Sequence, residues 1–243
     1  MDLQLRGLSA VVTGGSAGIG KEIVRTLAGE GCNVHFCARG RERIATTLAE
    51  LRGLPGTVEG ESVDVADPEA VTRWLAAVGR FDILVANVSA LADDWRTTLR
   101  VDLEGTVHVT ETAIPVLQGS AHAAITFIGS KTASYEAPHS PSYGASKAAM
   151  AHYMKSLSSR LLPTVRVNVV SPGDILFDGG YWDGVRRRDP AGFARTVQRN
   201  RMGRFGAPDE VARVVAFISS PAAAFVSGAN WYVDGGSVAQ VQF

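Results

Sequence analysis

Tyr143 and Lys147 stand four apart in Tyr143-Gly-Ala-Ser-Lys147, and Ser130 precedes the tyrosine by thirteen positions. On a helix, residues four apart share a face. Tyr143, Lys147, Met150, Met154, Leu157 and Leu161 recur at spacings of four and three, so a single stripe carries a phenol and an ammonium into an apolar seam. Lysine is rarely buried there without a partner. A fixed positive charge favours phenolate, so the Tyr143 phenol is expected to fall below its ordinary pKa of about 10. A Ser130 hydroxyl would hold the oxygen that gains or loses the proton. The chemistry of such a trio is proton transfer to a carbonyl or from an alcohol.

Elements that place this trio follow from the rest of the chain. Leu8 to Thr13 is a short apolar run ending in Thr13-Gly14-Gly15-Ser16-Ala17-Gly18-Ile19-Gly20, and Ile19, Ile23, Val24 and Leu27 follow at helical spacing. Strand, glycine turn and helix together form an anion cradle, where backbone N–H groups and the helix N-terminus meet a pyrophosphate. The spacing G-x-x-x-G-x-G also fits a plain tight turn. The second strand, Asn33 to Ala38, runs into Arg39, with Arg41 and Arg43 close behind. An acidic residue there would bind a ribose 2′-hydroxyl, whereas arginine accommodates a 2′-phosphate. Arg39 therefore favours NADP(H) over NAD(H), against the alternative that these arginines decorate an exposed helix start.

A third strand is expected to end at Val63-Asp64-Val65, and Asp67-Pro68-Glu69 opens a helix with a cap and a first-turn proline. Phe81 to Ala86 delivers Asn87-Val88-Ser89 to the carboxyl edge of a parallel sheet. A long helix is expected from Asp93, then a strand Ala124 to Ile128 ending at Gly129-Ser130, then the Tyr143 helix. The strand Val165 to Val170 leads to Ser171-Pro172-Gly173, and Ala229 to Val233 is a last strand. Residues 174–207 read as the least regular part. Alternating strands and helices predict an α/β fold, a Rossmann-like doubly wound parallel sheet with helices on both faces. One domain, 1–243, is expected.

Twenty-four basic and twenty-four acidic residues balance, so nothing global attracts nucleic acid or an anionic membrane. No apolar run reaches the ~18 residues of a membrane span. Met1 to Arg6 lacks the regions of a signal peptide, and a cytoplasmic protein is expected. Cys32 and Cys37 point to opposite faces of a strand, which argues against a bridge, and no His/Cys cluster suggests a metal site.

The ordered set Thr13-Gly14-x-x-x-Gly18-Ile19-Gly20, Asp64-Val65, Ala86-Asn87-Val88-Ser89, Ser130, Tyr143-x-x-x-Lys147 and Pro172-Gly173 resembles the classical short-chain dehydrogenase/reductase family almost from end to end. The resemblance implies an oxidoreductase interconverting a ketone and a secondary alcohol. Tyr143 would be the general acid or base, and Lys147 would tune it and bind the nicotinamide ribose. Ser130 would orient the carbonyl. Gly14, Ser16, Gly18, Ile19 and Gly20 would line the phosphates and ribose, and Asp64 and Val65 would meet the adenine. Asn87 would meet the neighbouring ribose, and Pro172, Gly173 and Ile175 the nicotinamide.

The chain departs from the family pattern at four places. Asp102 stands where many members have asparagine, a position whose backbone carbonyl helps relay protons to the lysine. Val88-Ser89 replaces Ala-Gly, the connection from Ser89 to Trp95 is short, and Phe177 replaces a threonine that contacts the nicotinamide amide. The segment 174–207, where the family builds its substrate lid, holds Phe177, Tyr181, Trp182 and Phe193. These aromatics are either walls for an apolar substrate or internal packing. Arg186-Arg187-Arg188 is either a solvated face or a phosphate contact for a 3-oxoacyl thioester. Lys131 and His139, flanking the catalytic stretch, read as exposed loop residues, the alternative being contact with substrate. Ala145, Ala148, Ala149 and Ala151 lie off the stripe and permit close packing of a second copy, so a homodimer or homotetramer is expected. The rival from another class is a silent nucleotide-binding regulator or scaffold, which loss of Tyr143 or Lys147 would have favoured.

Overall fold

The apolar runs become strands and the periodic segments become helices. The computed structural model describes residues 1–92, 94–239 and 241. The first half runs β1 (Ser9–Thr13), α1 (Gly18–Gly29), β2 (Asn33–Ala38), α2 (Arg41–Glu50), β3 (Val58–Ser62), α3 (Pro68–Val78) and β4 (Ile83–Ala86). The second half runs α4 (Trp95–Thr98), α5 (Thr106–Leu117), β5 (Ala124–Ile128), α6 (Pro141–Leu161) and β6 (Arg166–Pro172). It closes with α7 (Tyr181–Arg188), α8 (Pro190–Arg199), α9 (Pro208–Ser219) and β7 (Asn230–Val233). The seven strands form one sheet in the order β3-β2-β1-β4-β5-β6-β7, every neighbouring pair parallel. The order reverses between β1 and β4, and ligands of such sheets bind outside the carboxyl ends at that switch point.

Period-two alternation fills both faces with apolar side chains. Val11 of β1, Leu84 of β4 and Ile125 and Phe127 of β5 pack with Trp74, Val109, Met150 and Met154 from α3, α5 and α6. Their neighbours Ala10, Val12, Ile83 and Val85 turn the other way, onto Ile23 and Leu27 of α1 and Val211 and Val215 of α9. Cys32 and Cys37 fall into opposite clusters, both buried and free, and burial pushes both thiols up to about 12.

Several helix starts form as their sequences dictate. Asp67 accepts the Ala70 N–H at 3.0 Å with Pro68 in the first turn of α3, and Glu210 accepts the Ala207 N–H at 2.8 Å at the start of α9. Three expectations change. β3 stops at Ser62, because its pairing with β2 ends there and Asp64 folds back to accept the Ala66 N–H at 3.0 Å. Asp93 lies outside the described residues, and the expected long helix is divided into α4, a π-helical segment Leu99–Gly105 and α5. The π turn runs Gly105 against Val65, where a Cβ would stand 2.8 Å from the Val65 carbonyl oxygen. Residues 174–207 are more regular than expected and contain α7 and α8, the latter capped by Asp189 on the Gly192 N–H at 2.8 Å.

Candidate active site

The glycine turn links β1 to α1 at the switch point. Gly14 and Gly18 adopt φ of +72° and +51°, which strain any other residue, and a Cβ on Gly20 would collide with the Gly14 carbonyl oxygen. The Gly14 and Gly15 N–H groups donate to the Cys37 carbonyl at 2.8 and 3.1 Å. No side chain caps α1, and its first turn has no acidic residue, so its N–H groups face outward with the positive end of the helix dipole. A cavity of about 750 Å³ opens over this turn, lined by Ser16, Gly18, Lys21, Arg43, Phe177 and Arg186 among others. Lys21 is tied to Glu50 at 2.9 Å, and Arg186 to Asp183 at 2.6 Å. Arg39 is exposed beside it at the end of β2.

Asn87 sits at the end of β4, half-buried, with its amide donating to the Thr13 and Gly14 carbonyls at 3.0 and 3.3 Å. The Thr13 hydroxyl accepts the Asn87 and Val88 N–H groups at 2.9 and 3.2 Å. Thr13 thus locks the two strand ends together, a role the sequence signalled only through its place before Gly14. Asp64 is exposed beyond β3, while Val65 is buried against Gly105. Pro172 ends β6, Gly173 lies against Asp234, and Ile175 is buried and bridges to Gly206. These residues all lie at or beyond the carboxyl edge, in two groups on either side of the β1–β4 switch.

The proton-transfer trio forms where β5 meets α6. Ser130 lies two residues past the end of β5 and is buried; its Oγ accepts the Thr132 N–H at 3.2 Å and the Thr132 hydroxyl at 2.8 Å. Its other hydrogen-bonding neighbour is Tyr143. Lys147 is only 2% exposed, donates to the Ile128 carbonyl at 2.9 Å and lies 4.8 Å over the Phe127 ring. Its Nζ is 5.6 Å from the Tyr143 ring centre.

The electrostatics correct one expectation. The Tyr143 phenol is not lowered but pushed up to about 12, chiefly by burial, and Ser130 is the neighbour that opposes the rise. Lys147 is pushed down to about 8, also by burial, while the Asp102 charge holds it up. An ammonium that burial brings close to losing its proton, and that is hydrogen-bonded to a carbonyl, is not the dominant control on the phenol.

Asp102 lies in the π-helical segment, 1% exposed. Its Oδ1 accepts the Ala90 N–H at 2.9 Å, and its Oδ2 is the one buried side-chain polar atom without a partner among the described residues. The short 89–95 connection thus ties back to the helix through the carboxylate. Thr98 and Ser142 hydroxyls, 3.2 Å apart, pin this segment to the start of α6.

Around the trio the aromatics separate. Phe177 packs its ring over Gly18 and Gly180, while Trp182 and Phe193 both pack tilted against Phe205, with ring centres 5.0 and 4.6 Å away. Arg186 and Arg187 both bind the buried Asp183, which removes two of the three arginines from the role of phosphate contact. Lys131 is not an exposed loop residue: its side chain is 12% exposed and paired with Asp174. His139 is exposed as expected.

A family model described as enoyl-(acyl carrier protein) reductase matches residues 14–238. Isoepoxydon dehydrogenase of Penicillium expansum is 33% identical over 258 residues, spanning 98% of each chain. The 3-oxoacyl-(acyl-carrier-protein) reductase of Thermotoga maritima is 30% identical, over 97% of this chain and 100% of its own. Among solved structures, L-sorbose reductase of Gluconobacter frateurii, complexed with NADPH and L-sorbose, is similar with a TM-score of 0.93 at 27% identity, covering 99% of this chain and 100% of that one.

Proposed function

The chain belongs to the classical short-chain dehydrogenase/reductase family, NAD(P)-dependent oxidoreductases of carbonyl and alcohol groups, and on that premise we propose that it reduces a ketone to a secondary alcohol through Ser130, Tyr143 and Lys147. The observation that carries this reading is the Ser130–Tyr143 hydrogen bond beside a buried Lys147, at the sheet edge that also holds the glycine turn.

The residues present fit a dinucleotide. The uncapped start of α1 suits a pyrophosphate, with Gly14, Ser16, Gly18 and Ile19 around it, and the bare Gly20 lets α1 close onto Gly14 and Asn87. We assign Arg39 to a 2′-phosphate, Asp64 and Val65 to the adenine, Asn87 and Lys147 to the riboses, and Pro172, Gly173 and Ile175 to the nicotinamide. NADP(H) is favoured over NAD(H) because Arg39 stands where an acidic residue would select a 2′-hydroxyl. The NADPH in the similar L-sorbose reductase supports this preference. When bound, the cofactor supplies the hydride.

The protein supplies the proton. Ser130 is fixed by two bonds from Thr132, so its hydroxyl meets the substrate oxygen in one orientation. Tyr143, held near 12, keeps its proton at neutral pH and is poised as a general acid for reduction. As that proton leaves, the Lys147 ammonium offsets the phenolate left behind. Asp102 in turn holds Lys147 in its charged form. We read residues 1–243 as one catalytic domain with 174–207 as its lid. The exposed Ala145 and Ala149 on α6 support a homodimer or homotetramer, and a cytoplasmic setting fits a chain whose described residues include no helix able to cross a membrane.

The test pairs NADPH and NADH titrations with Tyr143→Phe. Tighter NADPH binding, with ketone turnover abolished and NADPH binding kept in the variant, is expected. Unchanged turnover in Tyr143→Phe would overturn the assignment of the acid.

A further inference from the structure

Lys131 follows Ser130 directly, and Asp174 follows Gly173 directly. Their ion pair therefore joins the turn that carries the proposed carbonyl-orienting hydroxyl to the segment proposed to meet the nicotinamide. The two side chains are 12% and 11% exposed. Every other ion pair among the described residues keeps at least one arm well in water, as Arg160–Glu111 and Arg204–Glu210 do at 52% and 41%, and 52% and 32%. Withdrawing both charges from water carries a desolvation cost that mutual attraction offsets only with good geometry and further hydrogen bonds. Such a pair is weak evidence for stability and calls for another use.

The pair has hydrogen-bonding capacity to spare. An ammonium has three donors and a carboxylate two acceptor oxygens, and the contact between them uses one Nζ hydrogen and Oδ2. Tyr135 bonds Lys131 as well, with its side chain still 44% exposed. A donor and an acceptor held side by side match a hydroxyl group, which is both. Beyond Asp174 lies a cavity of about 220 Å³ whose lining is mixed, with Asn200, Arg204, Tyr232 and Asp234 beside Ile175, Met202 and Val233. The lid aromatics do not line this cavity. Trp182, Phe193 and Phe205 spend their faces on one another, and Phe177 covers Gly18.

We propose that Lys131, Asp174 and Tyr135 form a polar subsite beside Ser130 that binds a hydroxyl group near the reacting carbonyl, so that the substrate is a hydroxylated ketone and the product a polyol. The inference rests on Ser130 and Tyr143 being the groups that meet the carbonyl oxygen. It disfavours a simple alkyl ketone or a long acyl thioester as the preferred substrate, because each would leave the remaining hydrogen-bonding capacity of the Lys131–Asp174 pair unused beside it.

The experiment uses three ketones with the same four-carbon skeleton: butanone, its 1-hydroxy derivative and erythrulose, with NADPH as reductant. A site built to bind a substrate hydroxyl discriminates strongly against the analogue lacking it, so kcat/KM for the hydroxylated ketones is expected to exceed that for butanone by at least about 100-fold. Lys131→Met and Asp174→Asn are each expected to cut that ratio at least about tenfold, the scale of one lost hydrogen bond to a charged group. The NADPH dissociation constant and the melting midpoint are read alongside. A wild-type ratio near one overturns the proposal. So does an equal loss on all three ketones with a lowered melting midpoint, the signature of a structural staple. If NADPH binds but no ketone of any kind is reduced, the underlying reading of Ser130 and Tyr143 fails, and this inference falls with it.

Discussion

Replacing Asp102 by asparagine changes one oxygen and one charge at the centre of the site. The amide oxygen in Asp102→Asn would keep the acceptor that Oδ1 offers to the Ala90 N–H at 2.9 Å, so the tie to the 89–95 connection survives. An amide nitrogen would take the place of the unpartnered Oδ2. The charge that raises both Lys147 and Tyr143 disappears. At an effective dielectric of about 20, a unit charge within the same site contributes on the order of 1–2 kcal/mol, or about one pKa unit. Lys147, at about 8 with Asp102 present, therefore moves to about 7. If turnover requires the ammonium, the alkaline limb of the rate profile shifts down by the same amount. At pH 8 the protonated fraction falls from about one half to about one tenth, a roughly fivefold loss of kcat, while at pH 6 the two enzymes agree. Initial rates of NADPH oxidation between pH 6 and 10 measure this directly. A limb that stays in place would refute the electrostatic role of Asp102. A limb that moves to higher pH would refute the sign of the reasoning.

Two further predictions concern the glycine turn and the folded state. Gly20→Ala forces a Cβ into the Gly14 carbonyl oxygen, and NADPH binding is expected to weaken at least about tenfold in a fluorescence titration; unaltered affinity would show that the turn yields. The contribution of Lys147 to thermal stability is expected to rise between about pH 8 and 9. Folded Lys147 loses its proton at about 8 and the unfolded side chain at about 10.5, so the unfolded chain binds more protons in that window. The gain is about 1 kcal/mol, or roughly 2–4 °C in melting midpoint. Over the same interval the buried Cys32 and Cys37, which hold their protons to about 12 when folded and to about 9 when unfolded, oppose it, so the gain is read as the difference between wild type and Lys147→Met. The wild-type midpoint minus that of Lys147→Met should rise by this amount, and a difference that stays constant or falls over the interval would contradict the burial argument.

Much of this protein was legible in the order of its residues, because the relevant forces act locally. The alternation of apolar runs with helical stripes fixed a parallel sheet covered on both faces. Asp67-Pro68 and Pro208-x-Glu210 marked helix starts through contacts within one turn. Tyr143 and Lys147 shared a stripe because a helix has 3.6 residues per turn, whatever surrounds it. What the sequence alone left open depends on groups distant in the chain. The Tyr143 phenol rises instead of falling because burial, set by the whole fold, outweighs one neighbouring charge. Asp102 is swung inward by a π turn that no spacing rule announces, and its missing partner is visible only once every neighbour is in place. Phe177 and Trp182 lie five positions apart, yet one covers the glycine turn and the other joins a lid cluster with Phe205. Lys131 and Asp174, forty-three positions apart, became a buried pair because β5 and β6 are adjacent in the sheet and end at the same edge. Such desolvation and pairing across the sheet are properties of the tertiary structure.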